Sequence, residues 1–171
     1  APKAARVACD ALPGYLSEVT AVAPGVTLTV DPAPLIDARA VKAPEELALM
    51  RGAAALTDFG QQVFFELARP GALMAEVDAE TVRRMRVEAA RRFPASDVSA
   101  RSFSLTGPAS AAPHGTGAGS DARIERGHGI VNIIIASLGG YFVENERTLF
   151  VGEPSPEQRA AYACIREAQA A

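Results

Sequence analysis

The sequence predicts a mixed α/β (α+β) fold, on three observations. A strand–helix–strand pattern of about 30 residues opens the chain. Two long segments carry apolar residues at helical spacing. An almost unbroken apolar run, Ile130 to Ala136, is joined by Gly139-Gly140 to a second strand candidate, Tyr141 to Val151.

The 171 residues suffice for a sizeable core, and 49% hydrophobic with 22% charged residues mark a globular chain. A net charge of −3 supplies no basic field, so no nucleic-acid partner is expected. No apolar run is long enough for a bilayer, and the N-terminus does not read as a signal peptide. Cys9 and Cys164 lie far apart without a CxxC, so both are read as small core thiols of a reduced, cytoplasmic protein rather than as a disulfide.

Arg6 to Asp10 is the first strand candidate. Leu12, Leu16, Val19 and Ala23 share a helical face, with Pro13 in the first turn and Pro24-Gly25 as the stop. Val26 to Val30 alternates as a strand does, and Pro32 and Pro34 close it. Pro44 opens a long helix in which Leu49, Ala53, Leu56, Gly60, Val63 and Leu67 repeat, up to the stop Arg69-Pro70-Gly71. Gly52 and Gly60 either weaken this helix or let it approach a sheet closely. A second helix runs from about Ala75 to Arg92, with Val82, Met85 and Ala89 on one face. Its arginines, Arg83, Arg84, Arg86, Arg91 and Arg92, read as a solvated face balanced by Glu76, Glu80 and Glu88, with a phosphate-binding helix as the alternative. Val98 to Thr106 is a strand with Phe103 and Leu105 on one side, and a Gly-, Ala-, Ser- and Pro-rich loop follows to Gly119. The last helix starts at Ser155-Pro156-Glu157-Gln158, a capping-box signature, and shows an apolar face of Ala161, Cys164, Ile165 and Ala168.

Chemistry is sought first among the charges of the hairpin. Glu144 and Glu146 have the same parity and share one face, while Arg147 points to the other. Two such carboxylates suit a metal, a guanidinium or acid–base work, or simply solvation on an edge strand. Asn132 and Asn145 are weaker candidates. His114 lies in a Pro- and Gly-flanked loop, a place for a functional or a surface histidine; His128, in a Gly-flanked turn, reads as structural. No Walker loop, GxSxG or HExxH occurs, and Gly115-Thr116-Gly117-Ala118-Gly119 is not placed between a strand and a helix as a phosphate loop is.

Taken in order, VKAPEELALMR, ARRFP, the PHG loop, GIVNI, YFVENERTLF and GEPSPEQR resemble the pita-bread family of methionine aminopeptidase, Xaa-Pro aminopeptidase, prolidase and creatinase. The resemblance implies that residues 1–40 are the C-terminal part of a creatinase-type N-terminal domain. Residues 41–171 are then the first half of a pita-bread catalytic domain. It also implies a homodimer, and a partial chain that alone is not expected to be active.

The family's metallopeptidases place two aspartates on this hairpin as bridging ligands for a pair of divalent cations such as Mn, Co or Zn. Alignment on Arg147-Thr148 puts those positions at Ile133 and Glu144; the alternative alignment puts them at Ile134 and Asn145. Isoleucine cannot bind a metal, so the expected cofactor is none. ENERTLF is closer to creatinase, which implies His114 as catalytic acid/base and Glu146, followed by Arg147, as the substrate-holding residues. The expected function is hydrolysis of a C–N bond, amidino or peptide, in a small molecule or short peptide, without metal. One alternative is a metal-dependent Xaa-Pro aminopeptidase or prolidase with Glu144 as a ligand. Another is a pita-bread binding module without catalysis.

Overall fold

A computed structural model describes residues 5–10, 14, 16–112 and 121–171, and the chain divides into two units, Ala1–Glu45 and Glu46–Ala171. In the first, β1 (Ala5–Cys9) pairs in parallel with β2 (Val26–Val30), Ala5 opposite Val26 through Cys9 opposite Val30. A parallel pair needs a crossover, and α1 (Leu16–Val22) provides it. The expected Pro13 start lies outside the described residues. A further helix, α2 (Ala33–Ala40), was not legible in the sequence. None of its residues is buried, so it has no apolar repeat to betray it. Its signals were local. Pro34 occupies the first turn, where a missing N–H costs little, and Ala33 N–H donates to Asp31 Oδ1 at 3.2 Å.

The second unit packs α3 (Pro44–Leu67) and α4 (Met74–Arg92) on one face of an antiparallel sheet. The sheet order is β3 (Val98–Thr106), β4 (Gly129–Leu138), β5 (Tyr141–Phe150), so the apolar run is the central strand. That explains its composition: every β4 residue is buried except Val131 and Ile135, which are half-buried. Gly139 and Gly140 turn the hairpin with φ of 55° and 84°, left-handed values that residues with a Cβ rarely adopt. Gly60 shows which glycine reading holds. A Cβ there would lie 2.6 Å from Met85 Sδ and 2.9 Å from Ile134 Cδ1, so its absence lets α3 approach α4 and the sheet.

The buried face of α3 is richer than its expected repeat, adding Thr57, Gln61 and Phe64. On α4 the arginines form the solvated face. Arg83 and Arg84 donate to Glu80, and Arg92 donates to Glu88. Hydrogen bonds from Arg83 and then Arg84 hold the Glu80 carboxyl down to about 2. Such exposed pairs contribute little stability.

After β3 a 3-10 turn (Gly107–Ala111) leads towards residues 113–120, which are outside the described set. Helix α5 (Pro156–Ala170) begins as expected. Gln158 N–H donates to Ser155 Oγ and Ser155 N–H donates to Gln158 Oε1, closing the capping box. Two expectations are corrected here. No residue of α5 is buried, and Ile165 on the expected apolar face is 66% exposed. The thiols are not core residues: Cys164 is exposed, Cys9 is half-buried, and both are free. Apolar spacing marks a face that favours burial, but not whether anything lies against it. Tyr162 reaches back, its ring edge-to-face with Phe150, and Gln158 Nε2 donates to the Gly127 carbonyl at 2.9 Å.

Candidate functional site

Strand register divides the second unit's sheet into two chemically different faces. One receives α3 and α4. The other carries Arg101, Phe103, Ile133, Ile135, Glu144 and Glu146. On this open face Arg101, Ile135 and Glu144 form one cross-strand row, and Phe103, Ile133 and Glu146 the next. The sequence-based expectation that Glu144 and Glu146 share a face therefore matches the register. Both are exposed, and Arg147 turns back, its Nη1 donating to the Glu146 carbonyl at 2.7 Å.

Two shallow grooves cross this face. One is lined by Ser99, Arg101, Ile135, Phe142 and Glu144. The other is lined by Leu105, Ser110, Ala112, Val131, Ile133 and Glu146. Ala112 is the last described residue before the loop that contains His114; His114 itself lies outside the described residues. His128 fills the structural role expected of it. Its Nδ1 accepts from Glu125 N–H at 3.3 Å, and its ring occupies the space a Cβ on Gly107 would need.

Behind the open face, a polar belt crosses the helix-facing side between two apolar clusters. Ile130 and Phe64 belong to one cluster, Ile134 and Leu56 to the other, and Asn132 falls between them on β4. Asn132 Nδ2 donates to Ser102 Oγ at 3.1 Å and Ser104 Oγ at 3.0 Å, and both hydroxyls donate to Asp78 Oδ1 at 2.8 Å. On β5, Asn145 Nδ2 donates to Asp58 Oδ1 at 2.9 Å, while Gln61 Nε2 donates to the Asn145 carbonyl at 2.9 Å. The asparagines thus bind the strands to α4 and α3. Anchoring Asn145 from behind fixes the strand from which Glu144 and Glu146 project on the other side. Sequence reasoning named both asparagines only as helpers and missed Asp78, Ser102 and Ser104. The one available signal was the shared parity of Ser102 and Ser104.

Burial pushes the Asp78 carboxyl above its ordinary 3.8, against the opposing pull of the Ser104 and Ser102 hydroxyls. A folded-state pKa above the unfolded one means that the folded chain binds more protons in that window. Its contribution to stability is full below about pH 3.8 and falls as pH rises through the raised value. Asp78→Asn removes that dependence. Urea denaturation of the full-length protein across this range is expected to shift the variant-minus-wild-type difference in the variant's favour as pH rises. A flat difference would contradict the account.

With the fold and the open face in view, the class is defined. The family model of metallopeptidase family M24 matches residues 48–171, and the chain belongs to that family. The Xaa-Pro dipeptidase of Pyrococcus furiosus is 34% identical over 133 residues, which cover 78% of this chain and 36% of that protein. Among solved structures, an Xaa-Pro dipeptidase from Bacillus anthracis matches 94% of this chain and 43% of its own, with a TM-score of 0.77 and 25% identity. A dipeptidase from Mycobacterium ulcerans matches 97% of this chain and 43% of its own, with a TM-score of 0.74 and 27% identity. The chain therefore spans 36% of that curated relative's length and 43% of each of these two solved chains. The α/β pita-bread fold expected from the sequence is the fold observed.

The family's name implies metal, and the residues present do not fit a bridged pair on this hairpin. Ile133, at one of the two bridging positions implied by the resemblance, is a hydrocarbon only 5% exposed between Phe103 and Glu146. In the alternative alignment Ile134 is wholly buried and Asn145 faces the helices. Among the described residues, no three His, Cys, Asp or Glu side chains come together as a metal site.

Proposed function

We propose that the full-length protein hydrolyses a C–N bond, a peptide bond in a short Xaa-Pro-type substrate, on the open face of the β3–β4–β5 sheet. The observation that carries this reading is the pair of same-face carboxylates, Glu144 and Glu146, on the hairpin of an M24 chain. Glu146 holds a cationic part of the substrate and His114 moves the proton between attacking water and leaving nitrogen, as the resemblance to creatinase implies. The hairpin holds no bridged metal pair, because position 133 offers no donor. Residues 1–40 close an N-terminal domain of the creatinase type in this reading, and the protein acts as a homodimer. No helix of the described residues is long and apolar enough to cross a membrane.

Kinship favours a second, metal-dependent reading. The matched family is described as metallopeptidases and the curated relative as an Xaa-Pro dipeptidase, which supports this alternative more directly than metal-free chemistry. Glu144 is then a ligand, and the other ligands come from elsewhere in the protein. Turnover of Leu-Pro by the full-length protein, before and after chelation and with bound metal quantified, separates the two. Turnover that survives chelation supports the first reading. Two divalent ions per site and activity lost on their removal establish the second, and absence of turnover under both conditions defeats both.

A further inference from the structure

We propose that Arg101 and Glu144 form a two-ended clamp for a small zwitterion, with Ile135 as the apolar floor between them. The three residues occupy one row across β3, β4 and β5, and they line one groove. Two strand spacings separate the backbones of Arg101 and Glu144 by about 9–10 Å. Both side chains line the same groove as the Ile135 hydrocarbon. Among the described residues neither side chain has an ion-pair partner.

Among the described residues, no hydrogen bond or ion pair uses the donors of the Arg101 side chain. Its guanidinium carbon lies 4.4 Å from the centroid of the Phe103 ring, on the same face of β3. A ring contact of this kind holds the guanidinium without consuming its N–H groups, and arginine can grip a carboxylate with two of them. Glu144 offers the complementary acceptor for an ammonium or guanidinium. Both are exposed, whereas Ile135 between them is half-buried, so the charged ends are more open to solvent than the middle. A ligand that matches this row carries a carboxylate at one end, a cation at the other and an apolar body.

A free dipeptide has that form, so the clamp rests on the proposed function and adds to it. It names Arg101 as the residue that selects substrates with a free carboxyl terminus, and it adds Glu144 to Glu146, its same-face neighbour, as a second carboxylate that attracts the free amino terminus.

The test compares Leu-Pro, its C-terminal amide and N-acetyl-Leu-Pro on the full-length protein. Arg101→Met keeps the aliphatic stem and removes the charge. It is expected to raise KM for Leu-Pro about 10–100-fold with kcat nearly unchanged, and to leave the amide's KM alone. Arg101→Lys is expected to recover part of the loss, which a merely misfolded variant would not show. Glu144→Gln is expected to weaken Leu-Pro and spare the N-acetyl compound. Equal losses for the acid and the amide in Arg101→Met, or none, overturn the clamp while leaving the hydrolase reading intact. Where wild type turns over none of the three, that reading fails and calorimetric binding of the same compounds tests the clamp. Binding of Leu-Pro that Arg101→Met weakens and amidation abolishes then supports it, and any other pattern overturns it.

Discussion

Ile133→Asp in the full-length protein is expected to lower stability by about 3 kcal/mol or more at neutral pH in metal-free buffer. Three effects act in the same direction. The isoleucine is almost wholly buried, so its apolar contribution is lost. The incoming carboxylate stands among Phe103, Val131 and Leu105, none of which can pair with it. Glu146 lies directly opposite on β5, where like charges repel across the strand pair. Divalent manganese should restore part of that loss in the variant, because the new carboxylate and Glu144 then stand at both bridging positions. It should leave the wild-type unfolding midpoint where it was. The measurement is thermal unfolding of both proteins with and without the ion. A wild-type midpoint that rises as much as the variant's would mean that metal is held without position 133, and the metal-free reading of the hairpin would fall.

What the sequence disclosed follows from which residues carry an unambiguous local signal. The hairpin was legible because Gly139-Gly140 separates an isoleucine run from an alternating one, and register then follows from the turn. The start of α5 was legible because Ser155, Pro156 and Gln158 state a cap in four residues. Helix α2 was not, since a helix without a buried face leaves no periodicity to read. The belt of Asp78, Ser102, Ser104 and Asn132 was missed for a different reason. It joins α4, β3 and β4, and only the register of distant strands shows that these polar residues meet. Arg101 escaped notice in the same way: it is one exposed arginine among many until β4 sets it in line with Glu144. The open face itself was half visible. The parity of Glu144 and Glu146 was readable, whereas the residues opposite them on β3 were not.

The chemistry assigned to Glu146 and His114 predicts two separable kinetic defects. Glu146→Gln keeps the shape of a side chain on the rim of the groove it shares with Val131, Ile133 and Ala112, and removes its charge. If the carboxylate holds a cationic part of the substrate in ground and transition state alike, KM rises about 10–100-fold, the worth of a charge-assisted hydrogen bond, and kcat changes little. His114→Ala removes a proton carrier instead. It is expected to lower kcat about 100- to 10,000-fold with KM nearly constant, and to abolish whichever limb of the pH–rate profile the imidazole governs. In the proposed function Glu146 faces the substrate through a charge present throughout turnover, whereas a general acid/base matters most as protons move; the split between KM and kcat follows from that difference. Steady-state kinetics on Leu-Pro across pH reads both. A histidine variant that keeps its rate and its pH profile would remove His114 from the chemistry, and a Glu146→Gln protein that loses kcat with KM intact would recast that carboxylate as a participant in the chemical step.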